Sequence, residues 1–145
     1  MKPFVFVIAL LLTFFVPVVS AQKGDDLRQK YGAPDEKGRY HVRPNIGMKV
    51  ETSEDGRPSR AIIQRLDIDD FPRWDNPKLM PTEEAQAVIA EVVPVSKRGK
   101  LRGTGRFAFS CIGSQVWHYD QVTITVDTRC EAQGGGTYDA VVHWK

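Results

Sequence analysis

Three histidines, two cysteines and two clusters of opposite charge carry whatever chemistry this chain can perform. The histidines are His41, His118 and His143. A metal or hydrolytic centre needs two or more of them to converge with a carboxylate. Their spacing predicts no such meeting, and each falls on or beside an expected strand, where a partly exposed imidazole is the ordinary case. The alternative is a small secreted hydrolase with a site assembled from dispersed residues: His118 or His143 with Asp120 or Asp139. No GxSxG, HExxH or calcium-loop pattern supports it, and Gly103-Thr104-Gly105 lacks the strand before and helix after that a phosphate loop requires. No catalytic residue, metal ligand or cofactor is assigned.

The two cysteines, Cys111 and Cys130, have neither the CxxC spacing of a redox pair nor enough partners for zinc. A disulfide is the simplest expectation in an oxidising compartment. If strands on either side of Asp120-Gln121 form a hairpin, Cys111 falls opposite Cys130 and Trp117 opposite Ile124. A non-hydrogen-bonded pair would set the two Cα atoms roughly 4.5 Å apart, close to bridging distance. Such a bond closes a loop of about 20 residues and contributes about 3 kcal/mol, mainly by restricting the unfolded chain.

Asp67, Asp69, Asp70 and Asp75 form the acidic cluster, in a loop expected from Asp67 to Pro81 and pinned by Phe71 and Trp74. It lacks the glycine and terminal glutamate of the common calcium loop. Lys97, Arg98, Lys100, Arg102 and Arg106 form the basic cluster. They can dock an acidic partner, or simply solvate a loop and discourage edge pairing. These five residues, with Phe71 and Trp74, are the candidate partner-binding set. A formal net charge of +2 gives no whole-protein reason to bind nucleic acid.

The elements that must position these residues are short. Residues 1–21 read as a signal peptide: Lys2, an apolar run from Phe4 to Val19, then Val19-Ser20-Ala21. Cleavage after Ala21 is expected, with no membrane span remaining and no lipidation cysteine following. Export to the periplasm or beyond the cell follows, as does a single domain over 22–145. A helix is expected from Asp25 or Asp26 to Tyr31, closed by Gly32. Tyr40 to Glu51 alternates as one half-buried strand, with Pro44 marking an edge or bulge. Asp55-Gly56 turns the chain, and Arg60 to Leu66 returns with Val50 opposite Ala61 and Met48 opposite Ile63.

Thr82 is expected to cap a helix with Ala85, Val88, Ile89 and Val92 on its buried stripe. Ser96 to Gly105 reads as a flexible connection. Three strands follow, with Phe107, Phe109 and Cys111 inward on the first. Val122, Ile124, Val126 and Cys130 face inward on the second. Tyr138, Ala140, Val142 and Trp144 share one side of the last. The fold class is α+β, a mostly antiparallel sheet of about five strands with two short helices and one disulfide.

The segment LRQKYGAP…YHVRPNIGMKV…EDG…AII, with Cys111, HYDQVTI, Cys130 and the final VVHWK, resembles small exported bacterial proteins of no established function. More distantly, a helix ending in YGAP before a hairpin is similar to envelope-assembly lipoproteins of the BamE/SmpA type. Those carry a lipidated cysteine that this chain lacks, so no functional residue is carried over. The resemblance implies an exported soluble protein, most simply a non-catalytic binding or envelope-associated module. Its partner would be another exported or envelope protein. The sequence leaves the oligomeric state open.

Overall fold

A computed structural model describes residues 24–68 and 78–145. The leader at 1–21 and most of the acidic loop, with Phe71 and Trp74, lie outside the described residues. One antiparallel sheet organises the rest. In chain order the elements are α1 (Gly24–Tyr31), β1 (Arg39–Arg43), β2 (Ile46–Thr52), β3 (Pro58–Arg65), α2 (Thr82–Val92), α3 (Val95–Arg98), β4 (Leu101–Phe109), β5 (Ile112–Tyr119), β6 (Val122–Arg129) and β7 (Gly136–Trp144). A 3₁₀ turn at Glu131–Gln133 precedes β7. Strands run in the order β1-β2-β3-β7-β6-β5-β4. Two meanders therefore meet at a β3–β7 seam, and the chain crosses from β3 to the far edge through α2 and α3.

The expectation of five strands and two helices is corrected to seven and three. Both extra strands come from two-residue turns inside segments read as single strands. Tyr40 to Glu51 folds back at Pro44-Asn45, where proline supplies the fixed φ that a turn needs and lacks the donor that a strand needs. Tyr40 lies opposite Met48, and the register shifts between His41 and Arg43. Inward residues of β1 and β2 thus keep one parity, and the alternation runs through the turn without a break. The stretch 106–119 folds back at Ser110-Cys111, with Phe109 opposite Ile112. No shift compensates there. Parity reverses, and Phe107 and Phe109 land on the face opposite the one expected. The connection expected to be flexible over Ser96 to Gly105 is partly α3 and partly β4.

The turn at Ser110 has a cost. Ser110 has φ 53°, the one non-glycine in the left-handed region among the described residues. An L side chain there loses on the order of 1 kcal/mol. Ser110→Gly should raise the urea midpoint by the equivalent of up to about 1 kcal/mol, part of the relief being offset by glycine's greater unfolded freedom. A lowered midpoint would show that the serine hydroxyl, not the backbone, governs this turn.

Other local expectations hold in register and burial, though not in every turn and cap. Gly32 has φ 80° and its N–H reaches the Arg28 carbonyl, closing α1. Val50 pairs with Ala61 and Met48 with Ile63. The turn between them is longer than two residues, since Ser53 N–H bonds the Arg57 carbonyl and the register shifts after Glu51. Ala85, Val88, Ile89 and Val92 are the buried stripe of α2. Thr82 does not cap that helix. Pro81 occupies the cap position without a side-chain bond, and Thr82 Oγ1 lies 3.5 Å from Thr137 Oγ1 instead.

The core lies on one side of the sheet. α1 contributes Leu27 and α2 its stripe, packed on Tyr40, Val42, Ile46, Met48, Ala61, Ile63, Val122, Ile124, Val126, Ala140 and Val142. Glu91 on α2 ties these layers together at the rim. It accepts from Tyr31 Oη at 3.3 Å and pairs with Arg43 and with Lys30 at 3.5 Å. The Arg43 guanidinium holds its carboxyl below the usual range. Met80 and Thr137 exchange two backbone bonds, at 2.7 and 2.9 Å, which anchor the chain entering α2 to the start of β7. Gly136 permits that approach: its φ is 131°, and a Cβ there would sit 2.7 Å from the Met80 carbonyl oxygen.

Candidate functional site

The face opposite the core carries no helix among the described residues, and its side chains follow from the strand registers. Directly opposed residues of an antiparallel pair point the same way. One row across this open face is therefore Glu51, Arg60, His143, Thr123, His118 and Gly103. The next is Lys49, Ile62, Val141, Thr125, Val116 and Gly105. A third is Gly47, Gln64, Asp139, Asp127, Ser114 and Phe107. An apolar band (Ile62, Val141, Val116) thus runs between two polar rows and ends at the β4 edge.

Two features of this face stand out physically. The first is at the edge. Phe107 is 62% exposed and Phe109 70%, on a strand exposed along nearly all its length. Each phenyl forgoes on the order of 1–2 kcal/mol of burial. Ile112, opposite Phe109, and Val116 extend this apolar surface onto β5. The second is the facing carboxylate pair Asp127 and Asp139. Burial, the charge of Asp127 and a hydrogen bond between the two push the Asp139 carboxyl up to about 6. Arg129 and Arg60 oppose that rise. The Arg129 guanidinium stacks over Tyr138, 4.8 Å from its ring centre, and Arg60 Nε is buried without a hydrogen-bond partner.

The alternative hydrolytic set does not converge. His143 and His118 flank Thr123 on the same row, two strand spacings or roughly 10 Å apart. Asp139 is four residues along β7 from His143, roughly 13 Å away. Asp120 is committed elsewhere: Arg102 pairs with its carboxylate, and the Lys100 N–H bonds it at 3.0 Å. These contacts hold its pKa down, the Arg102 bond being the largest cause. His41, at the opposite edge, lies 3.5 Å from Asp35. No group of three potential metal ligands exists among the described residues.

The basic cluster divides by environment. Arg98 donates to the Val93 carbonyl at 2.9 Å and lies over the Tyr119 ring. Arg102 is bound to Asp120. These two fasten α3 and the start of β4 to the β5–β6 turn. Lys97, Lys100 and Arg106 remain exposed. Asp67, the described member of the acidic cluster, is held by Arg65 at 2.8 Å and Lys78 at 3.0 Å, well below the usual carboxylate range.

Family models, curated proteins and solved structures all give no match to this chain. Its reading therefore rests on its own geometry.

The disulfide is present. Cys111 and Cys130 are bonded, with Cα atoms 4.9 Å apart and a sequence separation of 19. Trp117 lies opposite Ile124 as expected. The pair differs from the expected non-hydrogen-bonded type, because Cys130 N–H donates to the Cys111 carbonyl at 3.1 Å. The bond is compatible with an oxidising location. No helix among the described residues is long and apolar enough to cross a membrane.

What the sequence reading missed was the outward phenylalanines. The available signal was composition: β4 pairs Phe107 and Phe109 with Gly103 and Gly105 on one side and Thr104, Arg106 and Ala108 on the other. Neither side is a core face.

Proposed function

We propose that this chain is an exported, non-catalytic binding module whose contact surface is the open face at β4 and β5. The observation that carries the reading is the exposure of Phe107 and Phe109 on the edge strand. Adjoining large aromatic residues left in water are the usual anchors of a protein–protein contact. Ile112 and Val116 supply an apolar border, and the exposed Lys97 and Lys100 just before the strand favour a partner with acidic groups at its rim. On this reading residues 1–21 direct export and the disulfide forms afterwards. The partner is another exported or envelope protein, in keeping with the likeness to small exported bacterial proteins.

Site-specific photo-crosslinking in the producing cell tests it. A photoreactive residue replacing Phe107 or Val116 should give a discrete adduct. The same residue replacing Glu54 in the β2–β3 turn, or Gln86 on the exposed side of α2, should give none. Adducts of equal yield at all four positions, or none at 107 and 116, would overturn the proposal.

A further inference from the structure

The two edges of the sheet differ. β1 is five residues long, and α1 packs beside it. β4 is nine residues long and has no strand beyond it. Which of its main-chain groups are free follows from the disulfide corner. Cys130 N–H donates to the Cys111 carbonyl. Successive residues of a strand direct their main-chain groups to opposite neighbours. Cys111, Gly113 and Gln115 therefore bond toward β6, and Ile112, Ser114 and Val116 bond toward β4. The partners of these three on β4 are Phe109, Phe107 and Gly105. The intervening Thr104, Arg106 and Ala108 are left with N–H and C=O directed out from the sheet edge. The register shift between Leu101 and Gly103 ends this regular row at the start of the strand.

Charge decides what can pair with that row. Between Glu91 and Asp127 the chain carries five basic residues, Lys97, Arg98, Lys100, Arg102 and Arg106, against one carboxylate, Asp120. Asp120 is taken by Arg102, and Arg98 is held by the Val93 carbonyl. Among the described residues, Lys97, Lys100 and Arg106 pair with no carboxylate. Arg106 stands in the middle of the outward row, on the helix side of the sheet. Lys97 and Lys100 flank the beginning of the strand. An edge guarded in this way repels a second copy of itself and attracts a strand that bears carboxylates.

We propose that the β4 edge takes up an extended acidic segment of the partner as an added antiparallel strand. The proposal rests on the reading of the open face as a contact surface and names the chemistry of what docks beside it. Antiparallel pairing is the stronger kind and continues the sheet. The segment's side chains alternate between the two faces. Those beside Gly105 and Phe107 are apolar and cover the phenyl ring and the bare glycine backbone on the open face. Those beside Thr104, Arg106 and Ala108 are carboxylates on the helix side, where they meet the Arg106 guanidinium. Continuing past Gly103 brings further carboxylates toward Lys100 and Lys97. Main-chain bonds to the outward row supply affinity, and the alternation of apolar and acidic residues selects the partner.

A short synthetic peptide of alternating valine and glutamate, titrated into the purified protein, tests this by amide hydrogen exchange. With peptide at about ten times its Kd, exchange at Thr104, Arg106 and Ala108 should slow about ten-fold, while Gly105 and Phe107, already bonded to β5, should not change. Binding should weaken about ten-fold in Arg106→Glu, an exposed position where the change leaves the fold intact, and should fall as salt rises. The valine–lysine counterpart should not bind. Nor should the valine–glutamate peptide N-methylated at its glutamates, which lacks the donors that face β4. Equal affinity of the N-methylated peptide would show charge acting alone and overturn the strand addition, as would binding of the lysine peptide. Protection of the same three amides that grows with protein concentration in the absence of peptide would make a second copy the occupant and overturn it also. Photo-adducts at Phe107 and Val116 without peptide protection would remove the added strand and leave the open face a contact surface. Loss of both would remove the two readings together.

Discussion

Replacing both cysteines, Cys111→Ser with Cys130→Ser, should lower stability by about 3 kcal/mol, which for a domain of this size is a Tm lower by roughly 10 to 15 °C. The bond spans 19 positions, and the cost of leaving that loop open in the unfolded chain sets the magnitude. Its position makes the loss uneven. Cys111 lies in the β4–β5 turn and Cys130 at the end of β6. The β4–β5 hairpin is the least buried part of the sheet, with β4 exposed along nearly its whole length. Urea unfolding should register the global loss. Hydrogen exchange should show faster opening in β4 and β5 than in β2 and β3, because little else holds that hairpin's tip. A loss below about 1 kcal/mol, with exchange unchanged in β4, would mean that the strand pairing alone fixes this corner.

Asp139→Asn should stabilise the protein at pH 8 by about 2 kcal/mol and do almost nothing at pH 4. The sign follows from the direction of the shift. Burial and the neighbouring Asp127 raise the folded carboxyl to about 6, against 3.8 ordinarily. A group whose folded pKa is raised contributes its full stability below the unfolded value. It loses that contribution as pH climbs through the folded one. The wild-type protein should therefore weaken between about pH 4 and pH 7, and the asparagine variant, which resembles the protonated acid, should not. Asp127→Asn should reduce the same slope by removing the charge that faces Asp139. Thermal melts of the three proteins from pH 4 to pH 8 decide the matter. A destabilised Asp139→Asn at pH 8 would show that Arg60 and Arg129 outweigh burial and require the negative charge.

Much of the fold could be read where local chemistry and alternation agreed. The α2 stripe, the closing Gly32, the β2–β3 register and the Cys111–Cys130 pairing each followed from residue types at fixed offsets. The strand count failed because a two-residue turn is a weak interruption. Pro44-Asn45 was legible as a proline in a strand, but the bulge beside it preserved parity, so the alternation gave no warning. Ser110-Cys111 contains neither glycine nor proline, and its positive φ falls on a serine. With that turn hidden, Phe107 and Phe109 inherited the inward parity of Trp117. The candidate surface was missed for the same reason: its anchors looked like core. Of the basic residues, Arg98 and Arg102 proved to be fasteners, because the groups that hold them (Val93, Tyr119, Asp120) are brought near only by the β5–β6 turn and the crossing from α2.

The seam between β3 and β7 has a kinetic consequence. Each meander joins neighbours in sequence, whereas Arg60 to Gln64 meet Asp139 to His143 across most of the chain. Closing so long a loop costs entropy before any contact rewards it, so this union should limit the rate at which the polypeptide reaches its native state. Until it closes, the two halves are separate ribbons, each displaying apolar residues such as Ile63 and Val142 that later become fully buried. That interval is when the nascent molecule is most exposed to aggregation and to proteases.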